Sequence, residues 1–480
     1  MGIAIVGAIQ PYATYNDVLK YYPCAFFDYN KRDAKAGVPV EGIPIVQGAG
    51  SVTIRNGFMG IRTFGVQSNA RDVTIVLDNV KTLNSGINSN AARLSKATLR
   101  NCRFEVDTPF IINRHDTSEM SVSVGSATEV AGCEFIGGQG NFAGACPSIH
   151  DNLFVNGQTV TNHYSISPGI GTKVCRNRFE PKVGSGIYIG SGYGVEVYDN
   201  VFKIESAPPN CEYRYSAYST NALRLSDYDA KPTAPAERRC AGNKVYRNKI
   251  YITGKSYPQY DRYAPRTYAF FISVGGGTNY VYDNEIHVEK KDSGNVGAFA
   301  FYVGGSSNGG EIHDNKVVSG CPAAWLGNDY GNAANTLFYA NTFIKAPGTP
   351  AGVKPLILGD GGNAVRDIGF FSNSFQGWTD LFEYHSNSVA YSCGWTLTVQ
   401  VMDRAGKPKS GAEVVVTDKD GAETLKQTTD EKGAVTARLA EFKYAGGRKN
   451  TCSSYTVKSG ASEARIDMKK DANVTLKIDY

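Results

Sequence analysis

Apolar residues along most of the chain recur in short alternating runs that are separated by glycine-rich turns. One unit consists of an apolar strand, a turn, a second strand and then the pattern aromatic-x-Asn-x-apolar, as in Ile187–Gly192 followed by Tyr198–Phe202. The same unit recurs at 271–286 and at 301–317. Alternation with a period of two predicts β-strands, and the repetition of whole strand–turn units predicts that successive units stack on one another.

An asparagine recurs near the end of each unit and sets the length of the repeat. Its positions, with cysteine at two of them, are Asn56, Asn79, Cys102, Cys133, Asn152, Asn177, Asn200, Asn248, Asn284, Asn315, Asn341 and Asn373. The basic interval is 19 to 25 residues, and the longer intervals indicate insertions. Such a period is typical of a β-solenoid. Since a short amide satisfies backbone groups at a sharp bend and tolerates left-handed backbone angles, we expect these asparagines to form a hydrogen-bonded ladder.

Two further rows accompany the asparagines at fixed offsets. The row two residues before them contains His150, Cys175, Tyr198, Tyr246, Tyr282, His313, Tyr339 and Phe371. The row two residues after them contains Phe104, Phe135, Phe154, Phe179, Phe202, Ile250, Ile286, Val317, Phe343 and Phe375. Stacked coils place equivalent residues above one another, so we predict that both rows are internal stacks.

This pattern resembles the right-handed parallel β-helix superfamily, which includes pectate lyases, other polysaccharide lyases, polygalacturonases and phage tailspikes. The resemblance covers roughly residues 50–390. It implies an all-β fold, a right-handed parallel β-helix of about ten coils. We predict that residues 1–45 form an N-terminal cap and that residues 46–392 form the β-helix. One scaffold of this kind supports many chemistries, so the resemblance does not by itself assign an activity.

The repeat ends near Trp395, and strictly alternating strands follow, as in Leu397–Val401 and Val474–Tyr480. The segments Asp403–Val416 and Thr429–Gly433 contain turn-Gly-Ala-x-Val and Thr-Asp-x-x-Gly elements. They resemble the carboxypeptidase-regulatory-like, transthyretin-like β-sandwich. We therefore predict a small β-sandwich over residues 393–480. The resemblance implies an accessory module that caps, spaces or binds, and it carries over no catalytic residue.

Composition excludes several partners and favours an exported protein. The net charge is +5 from 50 basic and 45 acidic residues, without a basic run, so nucleic acid is not an expected partner. No apolar stretch approaches the roughly 20 residues of a membrane-spanning helix. Ten cysteines without metal-ligand spacing favour disulfides in an oxidising compartment, with Cys211–Cys240 as a candidate loop staple. We therefore expect a secreted or cell-surface protein.

The candidate binding site lies in two long insertions, Ser206–Asn243 and Gly254–Thr267. The insertions are inferred from the ladder intervals of 48 and 36 residues between Asn200 and Asn284, which exceed the basic interval. They place extra loops on neighbouring coils. Tyrosine stacks on sugar rings and arginine pairs with carboxylate or sulfate groups. The candidate substrate-binding residues are Tyr213, Arg214, Tyr215, Tyr228, Arg262, Tyr263 and Arg266. The alternative is that these tyrosines pack the loops against the β-helix.

The candidate catalytic residues lie beside this groove. Alternation directs Tyr188 and Arg224 outwards, because their neighbours in each strand are apolar. Arg114 and His115 follow an apolar strand three coils earlier and would extend the same face, unless they form an exposed polar turn. β-Elimination on a uronic acid needs a cation, a base and an acid, and arginine, tyrosine and histidine fill those roles.

These features favour a polysaccharide-active protein, with a lyase acting on an acidic, uronate-containing polymer as the preferred function. The chain lacks the Arg-x-x-Pro-x-x-Arg element of pectate lyases and the Asp-Asp pair of polygalacturonases. The alternative is a non-catalytic carbohydrate-binding, adhesive or structural cell-surface β-helix. The expected partner is an extracellular polysaccharide. The sequence specifies neither an oligomeric state nor a cofactor; calcium would be compatible with the fold, but no calcium site can be identified.

Overall fold

A computed structural model of the protein describes residues 50–55, 58–60, 64–65, 73–83, 87–88, 95–105, 126–137, 140–142, 146–156, 164–181, 184–190, 192–206, 219–227, 240–256, 266–291, 297–305 and 307–479. The expected N-terminal cap, residues 1–45, lies outside these ranges. The regular elements within them are all β-strands, numbered below in chain order. These ranges contain no helix of the length and apolarity needed to cross a membrane.

Three long parallel sheets make up the first part of the chain. Sheet A contains β1 (Gly50–Arg55), β4 (Val73–Asp78), β7 (Ser95–Arg100), β9 (Ser126–Ala131), β12 (Ser148–His150), β15 (Lys173–Cys175), β18 (Glu196–Tyr198), β21 (Lys244–Tyr246), β24 (Tyr280–Tyr282), β27 (Ser307–His313), β30 (Ala333–Tyr339), β33 (Val365–Phe371) and β36 (Val389–Met402). Each strand pairs with its counterpart from the next coil, so every coil contributes one strand to the sheet.

Sheet B follows sheet A within each coil. It contains β2 (Phe58–Gly60), β5 (Lys81–Leu83), β8 (Arg103–Glu105), β10 (Glu134–Gly137), β13 (Leu153–Asn156), β16 (Arg178–Phe179), β19 (Val201–Glu205), β22 (Lys249–Gly254), β25 (Glu285–Lys290), β28 (Lys316–Ser319), β31 (Thr342–Lys345) and β34 (Ser374–Gln376).

Sheet C completes the coil. It contains β11 (Gly140–Phe142), β14 (Tyr164–Pro168), β17 (Gly184–Ile189), β20 (Ser219–Ser226), β23 (Arg266–Ser273), β26 (Gly297–Val303), β29 (Ala324–Leu326), β32 (Leu356–Leu358) and β35 (Phe382–Tyr384). A separate parallel pair is formed by β3 (Phe64–Gly65) and β6 (Ile87–Asn88). Three parallel sheets that receive strands in rotation form a parallel β-helix, which is the fold class expected from the sequence.

The phenylalanine row lies inside the β-helix, as expected. Rings from successive coils stack from Phe104 to Phe202, with centroids 4.7 to 5.1 Å apart. The row continues through Ile250, Ile286, Val317 and Phe343, all buried. Because the strands are in register, a ring in one coil lies directly above the ring of the next, and this fixes the spacing of the stack.

The asparagine ladder is present and runs along the bend between sheets A and B. From Asn152 to Asn341, each ladder amide accepts a hydrogen bond at Oδ1 from the backbone N–H of the preceding ladder residue, over 2.8 to 3.1 Å. Left-handed backbone angles occur one residue earlier, at Asp199 and Asp283, and not at the asparagines themselves. Asn79 also has this conformation and Val80 occupies the ladder position in its coil, so the assignment of Asn79 to the ladder was wrong by one residue.

For most of its length, the row two residues before the asparagines lies on the outer surface of the β-helix. The prediction of an internal stack was wrong there. Tyr198, Tyr246, Tyr282, His313 and Tyr339 are only partly buried, and their rings stack with centroids 4.5 to 5.1 Å apart. The physical reason is strand alternation, because Val197 and Val281 in the preceding position point into the core.

The cysteines of the described residues are free thiols, so the expected disulfide framework is not supported there. Cys102 and Cys133 replace asparagine in the ladder, where the Cys102 N–H donates to the Cys133 Sγ over 3.4 Å. Cys240 is fully buried, and its thiol donates to the Ile189 carbonyl over 3.4 Å. The expected Cys211–Cys240 staple therefore conflicts with a free Cys240; Cys211 lies outside the described residues.

The last part of the chain contains further strands, which pair antiparallel except that the final one is parallel to β36. These are β37 (Glu413–Thr417), β38 (Glu423–Thr428), β39 (Ala434–Ala445), β40 (Arg448–Thr451), β41 (Tyr455–Ser459), β42 (Ser462–Ile466) and β43 (Ala472–Lys477). Strand β36 pairs with β33 of the β-helix and then with β39 and β43. Strands β38, β37, β41 and β42 form a second sheet. A separate core contains Leu397 and Val399 of β36 together with Val414 and Val457 of the second sheet.

Candidate functional site

The outer face of sheet C carries a row of side chains that runs along the β-helix axis. In β17 and β20, Ile187, Ile189, Leu223 and Leu225 are fully buried, so the residues between them point outwards. Pairing in register then aligns one residue from each coil, about 4.8 Å apart. The aligned residues are Tyr188, Arg224, Phe271, Tyr302, Trp325, Ile357 and Glu383. We call this row and the side chains that touch it the sheet C surface.

A bend in the central strands widens this surface. Two consecutive residues in each strand, such as Ala222 and Leu223 or Ala269 and Phe270, face the core. As a result, residues on both sides of the pair point outwards, as Tyr268 and Phe271 do. Small residues are required at the bend, since a Cβ at Gly186 would lie 2.7 Å from the Ala222 carbonyl oxygen. Local sequence therefore places two outward aromatic residues on one strand.

The outward aromatic residues form a cluster that is itself buried. Tyr268, Phe271, Phe299, Tyr302 and Ile357 pack together, with Trp325 against them. The rings of Tyr268 and Tyr302 stack with centroids 4.1 Å apart. Burial raises the pKa of both hydroxyl groups above the ordinary tyrosine value, so both keep their proton at neutral pH.

An arginine, a tyrosine and an aspartate meet at the edge of this cluster. The Arg266 Nη1 donates to the Tyr302 hydroxyl over 3.0 Å and pairs with the Asp329 carboxylate. The Tyr302 hydroxyl donates to the same carboxylate. The Arg266 guanidinium also lies 5.9 Å from the Trp325 ring centroid. About a third of the Arg266 side chain is exposed, so the guanidinium can reach an anion in solvent.

Arg224 lies between two rings on the same surface. Its guanidinium carbon is 4.8 Å from the Phe271 ring centroid and 5.4 Å from that of Tyr188. Tyr188 in turn stacks on Tyr164, with centroids 5.6 Å apart. Tyr330 contacts Phe271 edge-on and is 43% exposed. Cations and accessible rings therefore occur together along several coils.

A histidine–glutamate pair lies at the far end of the row. The His385 ring is edge-on to Trp325 at 6.2 Å, and its Nε2 is 2.7 Å from the Glu383 Oε1. The Trp325 Nε1 donates to the Gly359 carbonyl over 3.0 Å, which fixes the indole. Among the histidines that the structure describes, His150 and His313 belong to sheet A and His287 to sheet B. His385 is therefore the described imidazole on this surface.

The structure brings together three of the residues proposed from sequence, Tyr188, Arg224 and Arg266. The others lie outside the described residues: Arg114, His115, Tyr213, Arg214, Tyr215, Tyr228, Arg262 and Tyr263. No group of three or more His, Cys, Asp or Glu side chains that could hold a metal ion occurs in the described ranges. Calcium therefore has no identified site among these residues.

Sequence reasoning missed Tyr302, Trp325, Asp329, Tyr330 and His385. A usable signal existed for Tyr302, because Phe301–Val303 has the same alternation before a Gly turn as Ile187–Ile189. Asp329 and Tyr330 lie in the turn after β29, where no repeat pattern predicts which side chain folds back over the sheet.

Comparison with known proteins adds a remote structural similarity. The sequence matches no protein-family model and no curated protein. A double mutant of the tailspike protein of E. coli bacteriophage HK620 is 13% identical, with 88% of this chain and 86% of that chain covered and a TM-score of 0.34. A mutant of the same tailspike in complex with a pentasaccharide is 11% identical, with 88% and 86% covered and a TM-score of 0.29. At these values the similarity assigns neither a ligand nor an activity to this chain.

Proposed function

We propose that this protein is an extracellular polysaccharide-active β-helix protein that binds an acidic polymer along the sheet C surface and cleaves it as a lyase. The observation that carries the proposal is the axial row of rings and guanidinium groups from Tyr188 to Trp325. A polymer laid along the axis meets a new coil about every 4.8 Å. The accessible rings of Tyr188, Trp325 and the neighbouring Tyr330 provide apolar contact for sugar faces, and guanidinium groups pair with carboxylates.

The two arginines favour a uronate-containing polymer over a neutral one. Arg224 is held against the rings of Tyr188 and Phe271, and Arg266 is held by Tyr302 and Asp329. Both guanidinium groups are therefore positioned before the polymer arrives, which reduces the conformational entropy lost on binding. A neutral polysaccharide would accept hydrogen bonds from these guanidinium groups but form no ion pair, whereas a uronate presents a carboxylate on each unit.

β-Elimination requires three groups, and the sheet C surface can supply them. In our proposal Arg266 neutralises the uronate carboxylate, and Arg224 binds the carboxylate of a nearby unit. His385 removes the α-proton, because an Nε2–H that donates to Glu383 leaves Nδ1 as the acceptor. The electron pair of the C–H bond forms the new C=C bond as the glycosidic C–O bond breaks. The hydroxyl of the exposed Tyr330, whose ring contacts those of Phe271 and Tyr302, gives its proton to the leaving oxygen.

Non-catalytic binding is the second candidate function, and one observation favours it. Arg266, Tyr302 and Asp329 already satisfy one another, and the aromatic cluster beneath them is buried. Such an arrangement is suited to holding a polymer without reacting with it.

Incubation with alginate, polygalacturonate and glycosaminoglycans separates the two functions, because an unsaturated uronate product absorbs ultraviolet light. A lyase increases the absorbance with one of these polymers, and Tyr330→Phe and His385→Ala each remove the increase. A polymer that binds without product identifies a binding protein. If none of the polymers binds or is cleaved, an acidic polysaccharide is not the ligand.

Arg224→Ala is expected to weaken polymer binding by on the order of tenfold, since it removes one charged contact. The free energy of unfolding should fall by only about 1 kcal/mol, because the side chain lies outside the barrel and loses mainly its ring contacts. Binding isotherms and thermal melts measure the two effects. Arg224→Lys should retain part of the affinity. A variant that unfolds readily would show that the outward assignment of Arg224 is wrong.

A further inference from the structure

The outer face of sheet B carries an exposed tyrosine between two clefts. Ile250 and Ile252 of β22 are buried, so Tyr251 between them points outwards, and it is 40% exposed. Its neighbours in the outward row are Lys203 of β19 and His287 of β25. Sheets B and C are separate sheets of the barrel, so Tyr251 does not belong to the sheet C surface.

Two clefts meet at this residue. Cleft 1 has a volume of about 1000 Å³ and is lined by Arg178, Asp199, Lys203 and Tyr251, among others. Cleft 2 has a volume of about 720 Å³ and is lined by Tyr251, His287 and the turn 346–350. Together they form an interrupted groove that follows sheet B along the axis, with Tyr251 at its centre.

The stacking of Tyr251 leaves one of its ring faces available. Its ring stacks on that of His287, with centroids 5.2 Å apart and planes inclined by 17°. His287 therefore covers one face, and the opposite face is directed towards Lys203 and cleft 1. A flat aromatic face at the end of a cleft offers apolar contact to the C–H face of a pyranose ring.

The charged side chains that line cleft 1 indicate that it does not select charged ligands. Glu134, Asp151 and Asp199 are balanced by Arg176, Arg178 and Lys203. Most of these groups are already paired: Arg176 with Asp151 over 2.8 Å, Asp199 with Arg247 over 2.8 Å, and Arg178 with Glu180. A paired, neutral lining attracts no net charge and presents many hydrogen-bonding groups, which matches the hydroxyl groups of an uncharged sugar.

We propose that clefts 1 and 2 form a second carbohydrate site, which binds a neutral pyranose segment by stacking on Tyr251 and by hydrogen bonds. This site is independent of the sheet C surface and of the acidic polymer proposed there. It would attach the protein to a neutral region of the polysaccharide, or to a neutral polysaccharide in the same matrix, while the sheet C surface engages uronate.

Affinity electrophoresis of the full chain in native gels tests this proposal, with galactomannan, dextran or polygalacturonate as the polymer in the gel. We expect galactomannan or dextran to retard the wild-type protein, and Tyr251→Ala to weaken this retardation by on the order of threefold to tenfold. Tyr251→Phe should keep it. Tyr280→Ala, which alters a partly buried tyrosine on sheet A, is the matched control and should behave as wild type.

Salt and a second variant separate this site from the sheet C surface. Retardation by the neutral polymers should persist at about 0.5 M NaCl, where exposed charges are screened, and should survive Arg224→Ala. Retardation by polygalacturonate should be reduced under both conditions. The proposal is overturned if neither neutral polymer retards the wild-type protein, if Tyr251→Ala is retarded like wild type, or if Arg224→Ala removes the retardation.

Discussion

Replacing Asn284 with alanine should lower the free energy of unfolding by about 3 kcal/mol, because it leaves several buried polar groups without partners. The two hydrogens of the Asn284 Nδ2 are shared among three acceptors at 2.9 Å, the carbonyl oxygens of Val245 and Tyr282 and the Asn315 Oδ1. The Asn284 Oδ1 accepts from the backbone N–H and the Nδ2 of Asn248. The residue is 1% exposed, so water cannot replace these bonds without opening the coil.

Chemical denaturation of both proteins measures this effect. Asn387→Ala is the matched control, because Asn387 is exposed in a turn near the end of the β-helix. That variant should differ from wild type by less than about 0.5 kcal/mol. Equal stability of Asn284→Ala and wild type would mean that the ladder makes no net contribution to the fold.

Arg266→Ala should weaken binding of the acidic polymer by on the order of hundredfold, more than any other single change on the sheet C surface. The substitution removes the cation and leaves the Asp329 carboxylate beside Tyr302, so a repulsive charge faces the incoming uronate. Arg266→Lys keeps the charge but loses the planar fork, and we expect an intermediate affinity.

Arg247→Ala is a closely matched control for this experiment. Arg247 also pairs with an aspartate, Asp199, over 2.8 Å, and its guanidinium carbon lies 4.7 Å from the Tyr246 ring centroid. It lies beside sheet A, away from the proposed polymer path. Isothermal titration with oligogalacturonate should show a large loss for Arg266→Ala and none for Arg247→Ala. Equal losses would indicate a general charge effect and not a site.

Most of the fold could be predicted from the sequence because the repeat consists of short-range residue patterns with a direct physical cause. An asparagine at a constant offset identifies the bend in each coil, and apolar alternation identifies the strands. The spacing of these two signals along the sequence therefore predicts the β-helix. The repeat pattern could not determine the position of a residue in the coil to within one residue. Asn79 was assigned to the ladder although Val80 occupies it, and the row of Tyr198 and Tyr246 was assigned to the interior although it lies outside.

The candidate site was less predictable, because it depends on residues that several coils bring together. Alternation correctly directs Tyr188 and Arg224 outwards, since each lies between buried aliphatic residues. The partners of Arg266 could not be found in this way. Asp329 comes from a turn 63 residues later, and only the stacking of coils places it against the arginine. Buried thiols at ladder positions were likewise mistaken for a disulfide signal, since a cysteine Sγ replaces the amide acceptor at Cys133.

Hydroxyl-radical footprinting by mass spectrometry tests most directly whether the sheet C surface binds the polymer. Trp325 and Tyr330 are both accessible, and both react readily when exposed. With a saturating acidic oligosaccharide, we expect reduced oxidation of Trp325, Tyr330 and Tyr188, and unchanged oxidation of Tyr280 on sheet A. Oxidation of Trp325 and Tyr330 that stays unchanged while the oligosaccharide is bound would contradict binding at the sheet C surface and place the acidic polymer elsewhere.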